Sequence, residues 1–295
     1  MFAIMGATGQ TGRAAVAHLR RSGQPVRAIS RDARRAAALF GPEVDIAAAD
    51  PTDPAALAAA FSGAWGVYAM LPPLPGSDDV VGDCAAMARA VAEAVRRSGV
   101  RRVVALSSGG AHLPAGSGVV RTLHDFEAAL RHTDADVAFL RAADFLDNWA
   151  PMVAAAPASG VLPSARMPLD APMETVSAED VGRTAAELLV EDWRGMRIVD
   201  LLGPQEVTPQ DVAAAVAVLS GRPVRAVPLP PDSLVPALLE AGAGSDYPRL
   251  LAQLYDGLND GRVGFDAAAD ERRRGTVTLL QAVRRMLQPA PAGVT

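Results

Sequence analysis

Phe2-Ala3-Ile4-Met5, then Gly6-Ala7-Thr8-Gly9-Gln10-Thr11-Gly12-Arg13, then Ala14-Ala15-Val16-Ala17-His18-Leu19, reads as a strand, a glycine turn and a helix in immediate succession. Glycines in such a place permit a tight turn and a close backbone approach to a pyrophosphate, and the helix N-terminus supplies oriented N–H donors. The spacing is GxxGxxG rather than the commoner GxGxxG. The turn therefore needs support from the rest of the chain.

That support begins with the next strand. Gly23-Gln24-Pro25 ends the helix, and Val26–Ser30 has the β-branched, half-apolar character of a strand. About 20 residues past the glycines, a dinucleotide fold places the acid that holds the ribose hydroxyls of NAD. Counted from Gly12, that window holds Ser30, Arg31 and Asp32, with Arg34 and Arg35 close behind. A guanidinium pairs bidentately with phosphate and stacks on adenine, so Arg31, with Arg35, favours NADP(H) as cofactor. Asp32 is the counter-argument for NAD, and Arg34 and Arg35 also read as a solvated helix face.

Strands are expected at 44–49, 66–71 and 102–106, with helices at 55–61 and 78–98 between them. Asp50 follows the first of these strands, placed to meet the adenine amino group or simply to open a helix. Pro72-Pro73 ends the second and makes a rigid wall at the strand's carboxyl end. Strands alternating with helices at this spacing mean a parallel sheet with crossover helices. The expected class is α/β, a doubly wound parallel-sheet Rossmann domain with a smaller α+β C-terminal substrate domain.

Composition narrows the chemistry. The chain has 295 residues, half of them hydrophobic, and a formal net charge of −5 with no basic block, which argues against nucleic acid as a partner. All 28 basic residues are arginine. Without lysine there is no Schiff base and no ammonium to activate a hydroxyl. The single cysteine, Cys84, gives no intramolecular disulfide, and four scattered histidines give no metal site. No signal peptide and no apolar run of bilayer length is apparent, so a cytoplasmic protein without membrane association is expected, as monomer or homodimer.

Later blocks resemble a known family. Glu127-Ala128-Ala129-Leu130, Val137-Ala138-Phe139-Leu140-Arg141 and Phe145-Leu146-Asp147-Asn148 are similar to the helix-then-strand pattern ending "LRP..F.EN" of the NmrA-like branch of the atypical short-chain dehydrogenase/reductases. Ala142 replaces the usual proline there and Asp147 the usual glutamate. Glu179-Asp180-Val181-Gly182 resembles the "DVG" helix start, and Leu201-Leu202-Gly203-Pro204-Gln205 the late strand and loop. The resemblance implies a cofactor lying across Gly6, Thr8, Gly9, Gln10, Thr11, Gly12, Arg31, Met70, Leu71, Pro72, Ser107 and Phe145. It implies reductases of quinones, ketones or double bonds, and also regulators that only sense NADP(H).

Better known short-chain reductases place a serine at the end of the fifth strand and a YxxxK pair on the next helix. Ser107 or Ser108 fits the first position. The pair is absent: no tyrosine lies between Ser108 and Glu127, and no lysine lies anywhere. His124, at the start of the corresponding helix, is the substitute proton donor, with helix capping or cofactor positioning as its structural alternative. Glu127, three residues on, could share its face. His112 reads as exposed in a Gly-rich loop.

Residues 1–150, with 177–202 returning, are expected to form the nucleotide domain; 151–176 and 203–288 are expected to form a substrate-binding cover. The stretch from Trp149 to Thr175 has little periodicity. Glycine-flanked helices at 232–240 and 247–259 would close over the nicotinamide, with Asn148, Trp149 and Tyr247 as substrate-lining candidates. A frayed tail is expected over 288–295. The leading expectation is an NADPH-dependent reductase of a small apolar quinone, ketone or enone. The alternatives are an NADP(H)-sensing regulatory protein and, third, an isomerase using bound cofactor.

Overall fold

The computed structural model describes residues 1–288; all of the expected tail beyond Gln288 lies outside the described residues. The first half alternates strands and helices: β1 (Phe2–Ile4), α1 (Gln10–Arg21), β2 (Val26–Ser30), α2 (Ala33–Phe40), β3 (Asp45–Ala48), α3 (Pro54–Phe61), β4 (Gly66–Ala69), α4 (Val80–Ser98), β5 (Arg102–Ser108), α5 (Arg121–Arg131) and β6 (Asp136–Ala142). The second half adds β7 (Asp144–Phe145), α6 (Ala150–Ser159), β8 (Val161–Ser164), β9 (Thr175–Val176), α7 (Ala178–Val190), β10 (Met196–Leu202), α8 (Pro209–Ser220), β11 (Arg225–Pro228), α9 (Leu234–Glu240), α10 (Tyr247–Asn259), β12 (Glu271–Arg274) and α11 (Leu279–Leu287).

Eight strands form one parallel sheet in the order β12-β10-β6-β5-β4-β1-β2-β3. The chain winds one way from β1 to β3 and the other way from β4 onward. The reversal falls between β1 and β4, so the ligand crevice of an open α/β sheet opens at the carboxyl ends of those strands. The expected α/β class and doubly wound sheet are what the chain forms. Alternate residues of each central strand feed opposite cores. Ile4, Tyr68, Val104 and Leu140 face one layer with α1 and α7, while Ala3, Val67, Val103 and Phe139 face the other with α3, α4 and α5.

Helix ends follow local chemistry. Asp53 accepts from the Ala55 and Ala56 amides at the start of α3, behind Pro54. Thr208 and Asp211 form a reciprocal capping box at the start of α8, and Thr278 and Gln281 another at α11. A third core gathers Trp149, Val153, Leu162, Val212, Val216 and Val283 of the C-terminal part, beside the two-stranded sheet of β8 and β11.

Two elements differ from the sequence reading. The stretch after Trp149 is helical from Ala150 to Ser159 and then forms β8. Pro151 sits in the first turn, where a missing N–H costs nothing, and the helix is apolar nearly all round, so it shows no periodicity. β12 is Glu-Arg-Arg-Arg and joins the main sheet as an edge strand beside β10. The 203–288 region is therefore not all cover. Charged residues suit an edge strand, and here Arg273 pairs with Glu191 and Glu271.

The expected cover helices form α9 and α10, and their connection is fastened to the loop after β4. The Gly244 amide donates to the Pro75 carbonyl at 2.8 Å, and the Ser245 amide to Asp78 Oδ1 at 2.7 Å. The Val80 amide donates to Asp246 Oδ2 at 3.0 Å.

Candidate functional site

The glycine turn is built by close packing. Gly6 adopts φ +59, left-handed backbone that favours glycine, and a Cβ there would come within 2.9 Å of Met70 Sδ. A Cβ on Gly12 would collide with the Gly6 carbonyl oxygen and come within 2.8 Å of Ala7 Cα. These two glycines let α1 start directly behind β1. Gly9 is the N-cap of α1, with no side-chain cap and no acid in the first turn, so the amides at Gln10, Thr11 and Gly12 have no side-chain acceptor. Uncapped amides at a helix N-terminus attract an anion.

Beside the turn lies a cavity of about 290 Å³ bounded by the ends of β1 to β4. Gly6, Thr8 and Gly9 form one wall, Met70, Pro72 and Pro73 another, and Arg31, Asp32 and Arg35 the rim. Ile29, Ala49 and Leu57 give it an apolar floor. The guanidinium groups of Arg31 and Arg35 have no hydrogen-bond or ion-pair partner among the described residues. Arg34 does not line the cavity, which fits its alternative reading as a solvated residue. Asp32 N-caps α2, its Oδ1 accepting from the Arg35 amide at 2.9 Å. An apolar slot lined by two arginines with unpaired guanidinium groups and by the glycine turn that leads into the uncapped helix fits a phosphorylated dinucleotide.

Other expected cofactor residues are placed differently. Thr11 presents its backbone at the helix start, but its hydroxyl accepts from the buried Tyr68 phenol at 3.0 Å. Burial pushes that phenol well above its ordinary range. Asp50 closes a turn on Thr52, accepting from its amide at 2.8 Å and its hydroxyl at 2.5 Å, and these bonds hold the carboxyl below its usual value. Pro51, not Asp50, borders the cavity. Leu71 packs inward against Val80 and Met87. Phe145 is half-buried in β7 and packs on the core beside β6.

Ser107 belongs to a polar row that the sequence did not reveal. It pairs in register with Arg141, Arg141 with Asp200, and Asp200 with Arg272, so four neighbouring strands carry polar residues at one level. Arg141 is clamped by Glu127 of α5, Nε to Oε1 at 2.9 Å and Nη2 to Oε2 at 2.8 Å. Ser107 donates to Glu127 Oε1 at 2.6 Å. Serine, glutamate and arginine are all at least 97% buried. Burial opposes ionisation of Glu127, but the bonds from Arg141 and Ser107 outweigh it and hold the carboxyl below its ordinary value. Asp200 runs the other way: burial pushes its carboxyl up, and its Oδ1 has no partner. Glu127 therefore serves the sheet and not His124, and the Ser107 hydroxyl is committed to Glu127.

Both histidines near this edge meet the turn after β5. His124 is half-buried and its Nδ1 lies 2.9 Å from the Ala111 carbonyl oxygen. A carbonyl oxygen only accepts, so this contact places the ring proton on Nδ1 and leaves the lone pair on Nε2. His112 is not free in solvent as expected. Its buried Nδ1 stands 3.5 Å from Asp266 Oδ2, and Asp266 also meets Arg141 at 3.3 Å. Phe265, one residue before, lies against Gly109.

Of the expected substrate residues, Trp149 is 5% exposed inside the third core and acts in packing. Asn148 is exposed and donates to Asp144 Oδ1 at 3.3 Å. Tyr247 opens α10 and packs on Val80, Cys84 and Met87. Asp147 accepts from the Ala178 amide at 2.7 Å, bracing the start of α7. No group of metal-ligating side chains occurs among the described residues, and no helix there is long and apolar enough to cross a membrane.

The chain is 26% identical over 256 residues to an NAD(P)H azoreductase of Xenophilus azovorans, covering 86% of each chain. It is 28% identical over 259 residues to a (4-alkanoyl-5-oxo-2,5-dihydrofuran-3-yl)methyl phosphate reductase of Streptomyces griseus, covering 86% of this chain and 84% of that one. The fold superposes on the NADPH complex of an NADPH-dependent quinone oxidoreductase from Escherichia coli. The TM-score is 0.79 at 25% identity, covering 98% of this chain and all of the other. The profile of the NAD(P)H-binding family matches residues 6–192, from the first glycine of the turn to the end of α7 and just past it. The match bears out the resemblance carried by the glycine turn and the later blocks: the chain belongs to the NAD(P)H-binding family.

Proposed function

We propose that the protein is an NADPH-dependent reductase of small conjugated acceptors, a quinone, ketone or enone. The observation that carries this is the cavity beside the glycine turn, where Arg31 and Arg35 offer unpaired guanidinium groups to a ribose phosphate. The similar proteins support the class, since by name they reduce azo compounds, a phosphorylated furanone and quinones.

Gly6, Gly9 and the amides of Gln10 to Gly12 would hold the pyrophosphate, and Met70 and Pro72 would flank the adenosine. Bound there, the cofactor supplies a hydride. The chain's own residues must then deliver a proton and exclude water. His124 is the proton source in this reading, its ring oriented by the Ala111 carbonyl. Ser107, bonded to Glu127, sets the end of β5 instead of donating to substrate. α10 and the segment around Phe265 screen the carboxyl edge.

The competing reading, an NADP(H) sensor without turnover, is favoured by one observation: the serine of the usual catalytic set is already engaged. The discriminating experiment follows the loss of reduced-nicotinamide absorbance with a panel of quinones, ketones, enones and azo dyes. Turnover with any of these supports the reductase. Tight NADP+ binding with no turnover across the panel sinks it and leaves the sensor.

A further inference from the structure

Arg166 differs from the buried Arg141 and the half-buried Arg183 and Arg273, each of which is clamped by at least one carboxylate. Arg166 has none within ion-pair distance among the described residues. Its Nε reaches only Met173 Sδ, at 3.1 Å, and its Nη1 is buried with no hydrogen-bond partner. A buried donor on a cation without an acceptor is costly, and an anionic oxygen from a ligand would satisfy it.

The backbone around this arginine is held in place. The Arg166 amide donates to Ser164 Oγ at 3.0 Å, and that hydroxyl donates back to the Arg166 carbonyl at 2.9 Å. Asn259 of α10 donates to the Ala165 carbonyl and accepts from the Met167 amide, each at 2.9 Å. Asp144 of β7, which prolongs β6 at the carboxyl edge of the sheet, and Tyr255 of α10 lie near enough to act on it electrostatically. The Tyr255 hydroxyl has no partner among the described residues. Burial pushes the Asp144 carboxyl above its ordinary value despite Arg166, and pushes the Tyr255 phenol up as well.

We infer that Arg166 is an oxyanion subsite for the acceptor substrate: its guanidinium, with the Tyr255 hydroxyl beside it, takes a sulfonate, carboxylate or phosphate substituent. This rests on the reductase reading and narrows its substrate class to acceptors that combine a planar conjugated body with one anionic group.

The test uses the full chain with two acceptors that differ by one substituent, a naphthoquinone and its sulfonate. Arg166→Met keeps the length of the side chain and removes the charge. The expected result is that kcat/KM for the sulfonate falls about tenfold more than for the neutral quinone, chiefly through KM, the scale of one charge-assisted hydrogen bond. Arg225→Gln, an exposed arginine on β11, serves as the control and leaves the ratio unchanged. Equal losses with both acceptors, or a wild-type protein indifferent to the sulfonate, would overturn the subsite. If no acceptor turns over, the reductase reading fails by itself. The subsite is then read by calorimetric titration of the aromatic sulfonate onto protein saturated with NADP+. Binding lost in Arg166→Met supports it, and equal affinity in both proteins refutes it. Inorganic sulfate is titrated in parallel. If it binds as tightly as the aromatic sulfonate, Arg166 holds a free anion and the assignment to substrate falls.

Discussion

Arg31 and Asp32 stand side by side, and the geometry divides their work. Asp32 spends a carboxylate oxygen on the Arg35 amide at the start of α2, while Arg31 keeps its guanidinium open at the rim of the cavity. Arg31→Gln should weaken NADPH binding about tenfold or more, the loss of a charged hydrogen bond, and change NADH binding little. Fluorescence titrations with both nucleotides check this, and equal losses would remove the phosphate contact. His124 allows a sharper test because amides mimic single ring nitrogens. His124→Asn keeps a donor for the Ala111 carbonyl and deletes the Nε2 position. It should lower kcat about a hundredfold, the usual reach of a general acid, while His124→Gln should also loosen the turn after β5. Steady-state kinetics with a saturating quinone decides it: an unchanged rate in the Asn variant takes His124 out of the mechanism.

Among the elements, α1 and α7 illustrate how far local sequence reaches. A Cβ on Gly182 would collide with the Thr11 carbonyl oxygen and stand 2.5 Å from Ala14 Cβ. Helix propensity alone would make Gly182→Ala stabilising by about 1 kcal/mol. The collision is with backbone of the helix that opens the nucleotide site, and overpacking of this kind costs about 1–3 kcal/mol. The variant should therefore be less stable in urea unfolding and bind NADPH more weakly, because α1 must move. Added stability would show that propensity wins. The glycine turn, the place of Arg31 at the end of β2 and the alternation of strands with helices were legible because each is written in contiguous residues. The Ser107–Glu127–Arg141 cluster was not, since three elements supply it and only the register of β5 against β6 brings them level. α6 escaped because an all-round apolar helix has no period, and β12 because an edge strand of arginines looks like a solvated run. His112 was misread for a related reason: its partner, Asp266, lies far along the chain.

For the whole molecule, one of the ties between the nucleotide half and the C-terminal part is a buried carboxylate. Asp180, fully buried at the start of α7, accepts from the Thr276 and Val277 amides at 3.0 and 2.9 Å, and from Arg183 at 2.8 Å. Gly275 leaves the room for this approach, since a Cβ there would collide with the carboxylate. These bonds tie the segment between β12 and α11 to the helix that packs on α1. Burial works against ionisation of Asp180, but the bonds from Arg183, Thr276, Val277 and Ser177 prevail and hold its carboxyl below the ordinary value. A carboxyl depressed in the folded state binds its proton more readily in the unfolded chain. Its contribution to stability is therefore complete above the ordinary carboxylate pKa, about 4, and is lost as the pH falls through the folded value. Glu127, likewise depressed, adds a loss of the same sign in the same range. Asp180→Asn keeps the shape but turns an N–H₂ toward amides that need an acceptor, and should cost about 3 kcal/mol at neutral pH. Urea unfolding from pH 7 down to 3 should show a constant gap between wild type and variant until about pH 4, and a shrinking gap below it. A gap that stays constant to the lowest pH would mean that the Asp180 charge takes no part in holding the two halves together.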